Sequence, residues 1–202
     1  YGYRPSPRWL DDWHRQYPQL REGPVLTLPG RLSRLKGHED FIELIARLRA
    51  RDWPARGLIV GGPEPRRQRY ADGLREAVRA RGLEQDVLFM GHRHDIRDIY
   101  AISTLVLSLS AKPESFGRTA LEALSLGVPV VGYDQGGVGE ILARLYPLGL
   151  TPPGDPTALA ERTSQLLAGA PAVPAEPAFP LRRMLDETLA LYESLAASRS
   201  AD

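Results

Sequence analysis

The 202-residue sequence contains no cysteine, which excludes disulfides, thiolate catalysis and zinc fingers. It has no apolar run near the roughly 18 residues that a membrane-spanning helix needs. A charged-then-apolar leader is missing at Tyr1, so no signal peptide is predicted. Lysine is almost missing: Lys36 and Lys112 are the only two, and every other basic residue is arginine. Neither sign of charge dominates, with 26 basic against 25 acidic residues and a net charge of +1. That balance gives no bulk attraction to nucleic acid. There is no Gly-x-x-x-x-Gly-Lys-Ser/Thr, which argues against a P-loop NTPase, and no Gly-x-Ser-x-Gly elbow of the α/β-hydrolase kind. Asp-x-Asp does not occur, so a metal-clamped diphosphate lacks its usual carboxylates.

What is present is ordinary globular composition, 43% hydrophobic and 25% charged, in a chain long enough for a sizeable core. Residues 1–24 are rich in Pro, Arg and aromatics and read as an approach segment with a short helix over Pro7 to Gln16. From Val25 a rhythm begins. Apolar runs at Val25–Leu28, Leu58–Val60, Val87–Met90, Leu105–Leu109 and Val128–Val131 alternate with amphipathic helices at His38–Arg51, Arg67–Arg81, Asp95–Ile102 and Thr119–Leu126. Pro129 fits best as the first residue of its strand, with Gly132 as the stop. Strands alternating with helices predict an α/β fold, a Rossmann-like, doubly wound parallel sheet with helices on both faces. Thr151–Pro156 is a turn cluster opening a helix to about Leu167. The expected divisions are a core domain over 25–168, a Pro/Ala-rich connection over 169–180, and a terminal helix and tail over 181–202.

Ligands on such sheets bind beyond the carboxyl ends of the strands. The loop after the first strand, Gly30-Arg31-Leu32-Ser33-Arg34-Leu35-Lys36-Gly37, carries three cations between two glycines beside a helix start. That suits an anion, with Arg31 as a planar fork and Lys36 as a point charge; a solvated turn in an Arg-rich chain is the plainer alternative. The loop after the fourth strand holds Glu114 before a helix that contains Glu122. Free N–H groups around Phe116, Gly117, Arg118 and Thr119 could hold a phosphate, and each carboxylate could accept from two hydroxyls of a sugar. The spacing of Glu114 and Glu122 carries little alone, since Glu76 and Glu84 share it without a glycine loop. His92 and His94 follow Gly91 at the sheet edge, where a nucleobase could be flanked. They lack a third metal ligand, and helix capping by Asp95 explains much of that stretch. Asp134–Glu140 is a further turn-to-helix loop whose glycines fall short of a dinucleotide fingerprint.

Taken in order, these pieces resemble the donor-binding, C-terminal half of GT-B retaining glycosyltransferases of family four. The likeness runs from about Val25 to Leu142 and rests on Gly30-Arg31-Leu32 with Lys36-Gly37, Leu58 to Pro63, Phe89 with Gly91, Pro113 to Ala123, Gly127 to Val131, and Gly136 to Ile141. The resemblance implies that Arg31 and Lys36 bind the donor diphosphate and stabilise it as it leaves. It assigns Glu114 to the donor-sugar hydroxyls and Glu122 to the ribose. Phe116, Gly117, Arg118 and Thr119 would line phosphate and sugar, and His92 would flank the base. It implies a UDP- or GDP-sugar as substrate, no cofactor, and no metal at the chemical step. Family members carry a preceding acceptor-binding half, and nothing in this sequence can be that half. The chain is therefore expected to bind a nucleotide-sugar but to transfer little alone, with a glycan or lipid-linked acceptor held by the other half. The expected setting is the cytoplasm or the inner face of a membrane, although the Arg-rich helix Arg67–Arg81 reads more simply as a solvated face than as a lipid contact. Two other readings stand beside this one: a non-catalytic module that senses a nucleotide-sugar or docks a partner, and a dinucleotide oxidoreductase, which the incomplete glycine fingerprint disfavours.

Overall fold

The structure is a computed structural model that describes residues 2–63, 68–175 and 179–199. Arg67, expected to open a helix, lies outside the described residues, as do parts of the expected connection and tail.

Among the described residues, six strands form one parallel sheet: β1 (Val25–Pro29), β2 (Arg56–Val60), β3 (Val87–Gly91), β4 (Leu105–Ser108), β5 (Val130–Tyr133) and β6 (Leu150–Thr151), in the order β3-β2-β1-β4-β5-β6. The helices are α1 (Pro7–Gln16), α2 (His38–Arg49), α3 (Gln68–Ala80), α4 (Ile96–Ile102), α5 (Arg118–Ser125), α6 (Gly136–Leu145), α7 (Pro156–Gly169) and α8 (Leu181–Arg199). The Rossmann-like, doubly wound sheet expected from the alternation is therefore the architecture found. Neighbouring strands of β2 and β1 show why both faces need cover. Leu58 and Val60 pack into a cluster with Trp13, Val25, Met90 and Ile99, while Ile59, Leu26 and Leu28 pack into a larger cluster with Phe41, Ile45, Val78 and Leu159. A strand apolar at every position has no solvent face, and each face takes helices.

Helix α1 forms where its sequence predicts. Pro7 occupies the first turn and Ser6 accepts a hydrogen bond from Trp9 N at 3.2 Å, a standard N-cap arrangement. Trp9, Trp13 and Tyr17 follow one another at four-residue spacing with successive ring centroids 4.8 Å apart, Trp9 stacked on Trp13 and Tyr17 tilted against it. Trp13 is only 3% exposed, so this helix is packed on the sheet.

Two strand readings need correction. The fifth strand begins at Val130, not at Val128 or Pro129, and it runs through Gly132 to Tyr133. Pro129 sits just before it and contributes its carbonyl, which accepts from Val106 N at 3.0 Å. Gly132 continues the strand because it pairs with Leu150 of β6, a two-residue strand that the turn-rich 151–156 stretch hides. Helix α2 ends two residues earlier than expected, and within the expected terminal helix and tail α8 takes up Leu181–Arg199.

Candidate functional site

β1 lies between β2 and β4 in the sheet, so the chain order reverses there. Open α/β sheets take ligands at that switch point, outside the carboxyl ends of the strands. The two loops that the sequence singles out leave β1 and β4 and meet over this edge.

The loop after β1 is pinned at its start. Gly30 N donates to Val60 O at 2.9 Å and Leu32 N to Gly62 O at 3.0 Å. A single 3-10 turn over Arg34–Lys36 follows, and Gly37 then turns into α2 with φ 71°. A Cβ on Gly37 would stand 2.0 Å from the carbonyl oxygen of Leu109, and one on Gly61 would stand 1.9 Å from that of Gly30. Glycine is required at both places, one for its left-handed backbone and both for backbone-to-backbone contact. The Lys36 side chain lies across Gly30, and its Nζ donates to Glu114 Oε1 at 2.6 Å. Lys36 and Glu114, read separately in the sequence, thus form one ion pair across the switch point.

Glu114 is held from three sides. The Ser110 hydroxyl shares Oε1 with Lys36, Gly137 N donates to the Glu114 carbonyl at 2.8 Å, and Gln135 Nε2 donates to Ser110 O at 2.5 Å. Partial burial pushes the Glu114 carboxyl up, but the Lys36 ammonium and the Ser110 hydroxyl outweigh it and hold the group below the usual carboxylate range. Glu114 is therefore an ionised acceptor at neutral pH.

Sequence reasoning passed over Ser110, Gln135 and His38. His38 opens α2 and is 0% exposed. Its Nδ1 lies 3.2 Å from Ser33 O. A carbonyl only accepts, so Nδ1 carries the proton, and buried Nε2 is left without a hydrogen-bond partner. Burial, reinforced by the nearby Lys36 charge and opposed by the Ser33 carbonyl, pushes its pKa down to about 4. This neutral imidazole ties down the middle of the cationic loop.

After β4, Gly117 takes the N-cap position of α5 at φ 84° with no side-chain cap. The N–H groups of the first turn and the helix dipole thus favour an anion there. Arg118 is exposed and Thr119 partly buried. Phe116 is 46% exposed, and its ring meets Phe179 edge-on at 5.8 Å; what it offers the loop is backbone. Glu122 lies one turn further along α5. It borders a cavity of about 380 Å³ together with Arg97, Tyr100, Leu121 and Ser125, and Arg118 Nε stands 3.7 Å away. The Tyr100 phenol is driven up by burial, then by the charge and hydrogen bond of Glu122. Arg31 is exposed at the mouth of the loop.

His92 and His94 are exposed, with ring centroids 4.9 Å apart. Asp95 occupies the N-cap position of α4, but its carboxylate does not cap the helix. Arg93 takes both of its oxygens, at 2.8 and 2.6 Å, and the Trp9 indole donates to it at 2.9 Å. The capping explanation of this stretch is overturned by stronger, charge-assisted partners. Among the described residues, no group of three or more His, Cys, Asp or Glu stands where it could hold a metal ion, and no helix is long and apolar enough to cross a membrane.

A doubly wound sheet with the Lys36–Glu114 pair and an uncapped helix start at its switch point defines a Rossmann-like domain. The chain belongs to the group 1 glycosyl transferases, matching that family over residues 11–179, and its fold is that of GT-B glycosyltransferases. It is 36% identical over 138 residues to 2-deoxystreptamine N-acetyl-D-glucosaminyltransferase of Streptomyces fradiae, covering 67% of this chain and 32% of that protein. HepE of Anabaena, solved with UDP and glucose, superposes with a TM-score of 0.71 at 29% identity over 83% of this chain and 44% of HepE. The C-terminal domain of a group 1 glycosyl transferase (LpcC) from Francisella tularensis superposes with a TM-score of 0.65 at 23% identity, over 83% of this chain and 86% of that domain. The chain spans about a third of the length of the curated relatives it matches.

Proposed function

We propose that this chain is the donor-binding, C-terminal half of a retaining, family-four glycosyltransferase. The parent enzyme would move a hexose from a UDP- or GDP-sugar to a glycan or lipid-linked acceptor. The observation that carries the reading is the Lys36–Glu114 pair at the switch point, next to the side-chain-free N-terminus of α5. The solution of HepE with UDP and glucose supports the ligand class. The near-complete overlap with an isolated C-terminal domain supports, by fold alone, the half to which the chain corresponds.

In this reading the donor diphosphate lies over the loop after β1 and the start of α5. Lys36 and Arg31 neutralise it, and the backbone from Phe116 to Thr119 donates to its oxygens. Charge grows on the departing diphosphate as the glycosidic bond breaks, so preorganised cations stabilise the transition state more than the ground state. No metal ion is required for that neutralisation. Ionised Glu114 accepts from the donor-sugar hydroxyls and holds Lys36 extended until the diphosphate arrives. Glu122 accepts from the ribose, and His92 flanks the base. The acceptor comes with the other half of the enzyme, so this chain by itself binds donor and transfers little.

The test is thermal unfolding with UDP, GDP, ADP and NAD, each with and without Mg²⁺, on the wild-type chain and Glu122→Ala. A ligand at about 100 times its Kd adds about 2.7 kcal/mol, several degrees at about 2–4 °C per kcal/mol for a chain of this size. A magnesium-independent shift with UDP or GDP that Glu122→Ala cuts to about half, as a tenfold loss of affinity does at this ligand concentration, supports the donor reading and names the base. A shift with NAD alone refutes it.

A further inference from the structure

The loop after β3 has two sides. His92 and His94 stand exposed at the carboxyl edge of the sheet, their rings edge to face. Arg93 and Asp95 turn the other way, onto α1. Arg93 chelates Asp95 with two hydrogen bonds and lies 5.6 Å over the Trp13 ring. Trp9 Nε1 donates to Asp95 at 2.9 Å. The first turn of α4 is tied to the same end of the chain, since Tyr3 donates to Asp98 at 2.7 Å and Arg97 stacks 3.8 Å over the Tyr3 ring.

A loop carrying two exposed imidazoles on a five-residue turn has many conformations, and this clamp removes most of them. The carboxylate is the hub. Asp95 gives up helix capping and spends its acceptors on Arg93 and Trp9, which keep it ionised: the Arg93 hydrogen bonds hold it below the usual carboxylate range against partial burial, with Trp9 adding to them. Trp13 is buried in the cluster formed with Met90 and Ile99, so α1 cannot shift without moving the end of β3 and the start of α4.

We propose that Asp95 is a positioning residue for the base end of the nucleotide site: gripped by Trp9 and Arg93, it fixes the His92–His94 turn, and α1 thereby sets how well a nucleobase is held. The inference rests on the donor reading above, because it supposes that a base lies against this turn. It goes beyond that reading by giving the N-terminal helix a part in donor selection.

Two variants of the full chain test it. Asp95→Asn keeps the size and an acceptor for Trp9 but loses the ion pair with Arg93. Trp9→Phe keeps an aromatic ring against Trp13 but loses the indole donor. Amide hydrogen exchange over 92–95 is expected to quicken roughly tenfold in Asp95→Asn and less in Trp9→Phe, with β1 and β4 unchanged. Affinity for UDP and GDP is expected to fall roughly fivefold and their ratio to narrow, while affinity for inorganic pyrophosphate, which has no base, stays constant. Unchanged exchange in both variants overturns the clamp. Equal losses for the nucleotides and pyrophosphate also overturn the proposal, because they mark general loosening. A wild-type chain that binds pyrophosphate but no nucleoside diphosphate overturns both the base role and the donor reading, whereas normal nucleotide binding with a loosened turn and unaltered affinity overturns this inference alone.

Discussion

Lowering the pH should cost this fold stability through His38 before its carboxylates titrate. In the unfolded chain an imidazole takes up a proton near pH 6.5, whereas in the fold His38 does so only near pH 4. Its folded pKa is depressed, so the unfolded state binds the extra proton throughout that window and stability falls as the pH drops from 6.5 to 4. The physical cause is specific. Nδ1 already donates to Ser33 O, and a second proton would go to Nε2, which is buried without an acceptor and close to the Lys36 charge. At 1.36 kcal/mol per pKa unit the full effect is about 3 kcal/mol, or about 6–12 °C in Tm for a chain of this length. Urea unfolding at several pH values between 7 and 4, on wild type and His38→Asn, reads it out. Asparagine can still donate to Ser33 O but does not titrate, so the variant should lose most of the slope above pH 4.5. Glu114 and Asp95 are held below the usual carboxylate range and contribute their own loss lower down. Identical pH slopes in the two proteins would refute the assignment of a buried neutral imidazole.

The remaining expectations follow from single contacts. Gly37→Ala places a Cβ 2.0 Å from Leu109 O at φ 71°, and urea unfolding should show a loss on the order of 3 kcal/mol. Trp13→Ala opens the cluster beneath α1 and should lower stability by about 3–5 kcal/mol. In the parent enzyme, Lys36→Ala should lower kcat by roughly 10²-fold or more through lost leaving-group stabilisation; steady-state kinetics with normal turnover would remove Lys36 from that role. Glu122→Ala should raise the donor KM about tenfold with kcat nearly unchanged, and a fall in kcat alone would place Glu122 at the chemistry instead.

The sheet was legible because both of its faces are covered. Buried parallel strands must be apolar at nearly every position, and runs such as Leu58-Ile59-Val60 stand out against the Arg-rich helices between them. The misread elements are those where a short-range signal competes with a long-range one. Pro129 and Gly132 look like the start and the end of a strand, yet the ladder bonds to β4 and β6 decide where it lies. β6 consists of two residues held by pairing alone, and no periodicity exists over two residues.

In the candidate site, the residues legible in the sequence are those whose placement follows from their own loop. Gly30, Gly37, Gly61 and Gly117 mark backbone turns, and a turn after a strand points to the ligand edge. Arg31, Lys36, Glu114 and Glu122 carry charge on or just after those turns. The direct bond from Lys36 to Glu114 was not legible, because it depends on β1 and β4 being neighbours although far apart in sequence. The same holds for Gln135, which reaches the Ser110 carbonyl only once α6 is laid against the loop after β4, whereas Ser110 bonds Glu114 from within the same loop. His38 was passed over for a different reason: its partner is close in sequence, but an isolated histidine at a helix start gives no sign of burial until α2 is seated. Asp95 was misassigned because its sequence position fits a cap so well. Capping offers neutral backbone N–H donors, whereas Arg93 and Trp9 offer a bidentate guanidinium and an indole, and the charged partner outcompetes the helix end. Residues that look locally explained, as Asp95 does, are therefore where tertiary partners most readily redirect the chemistry of this domain.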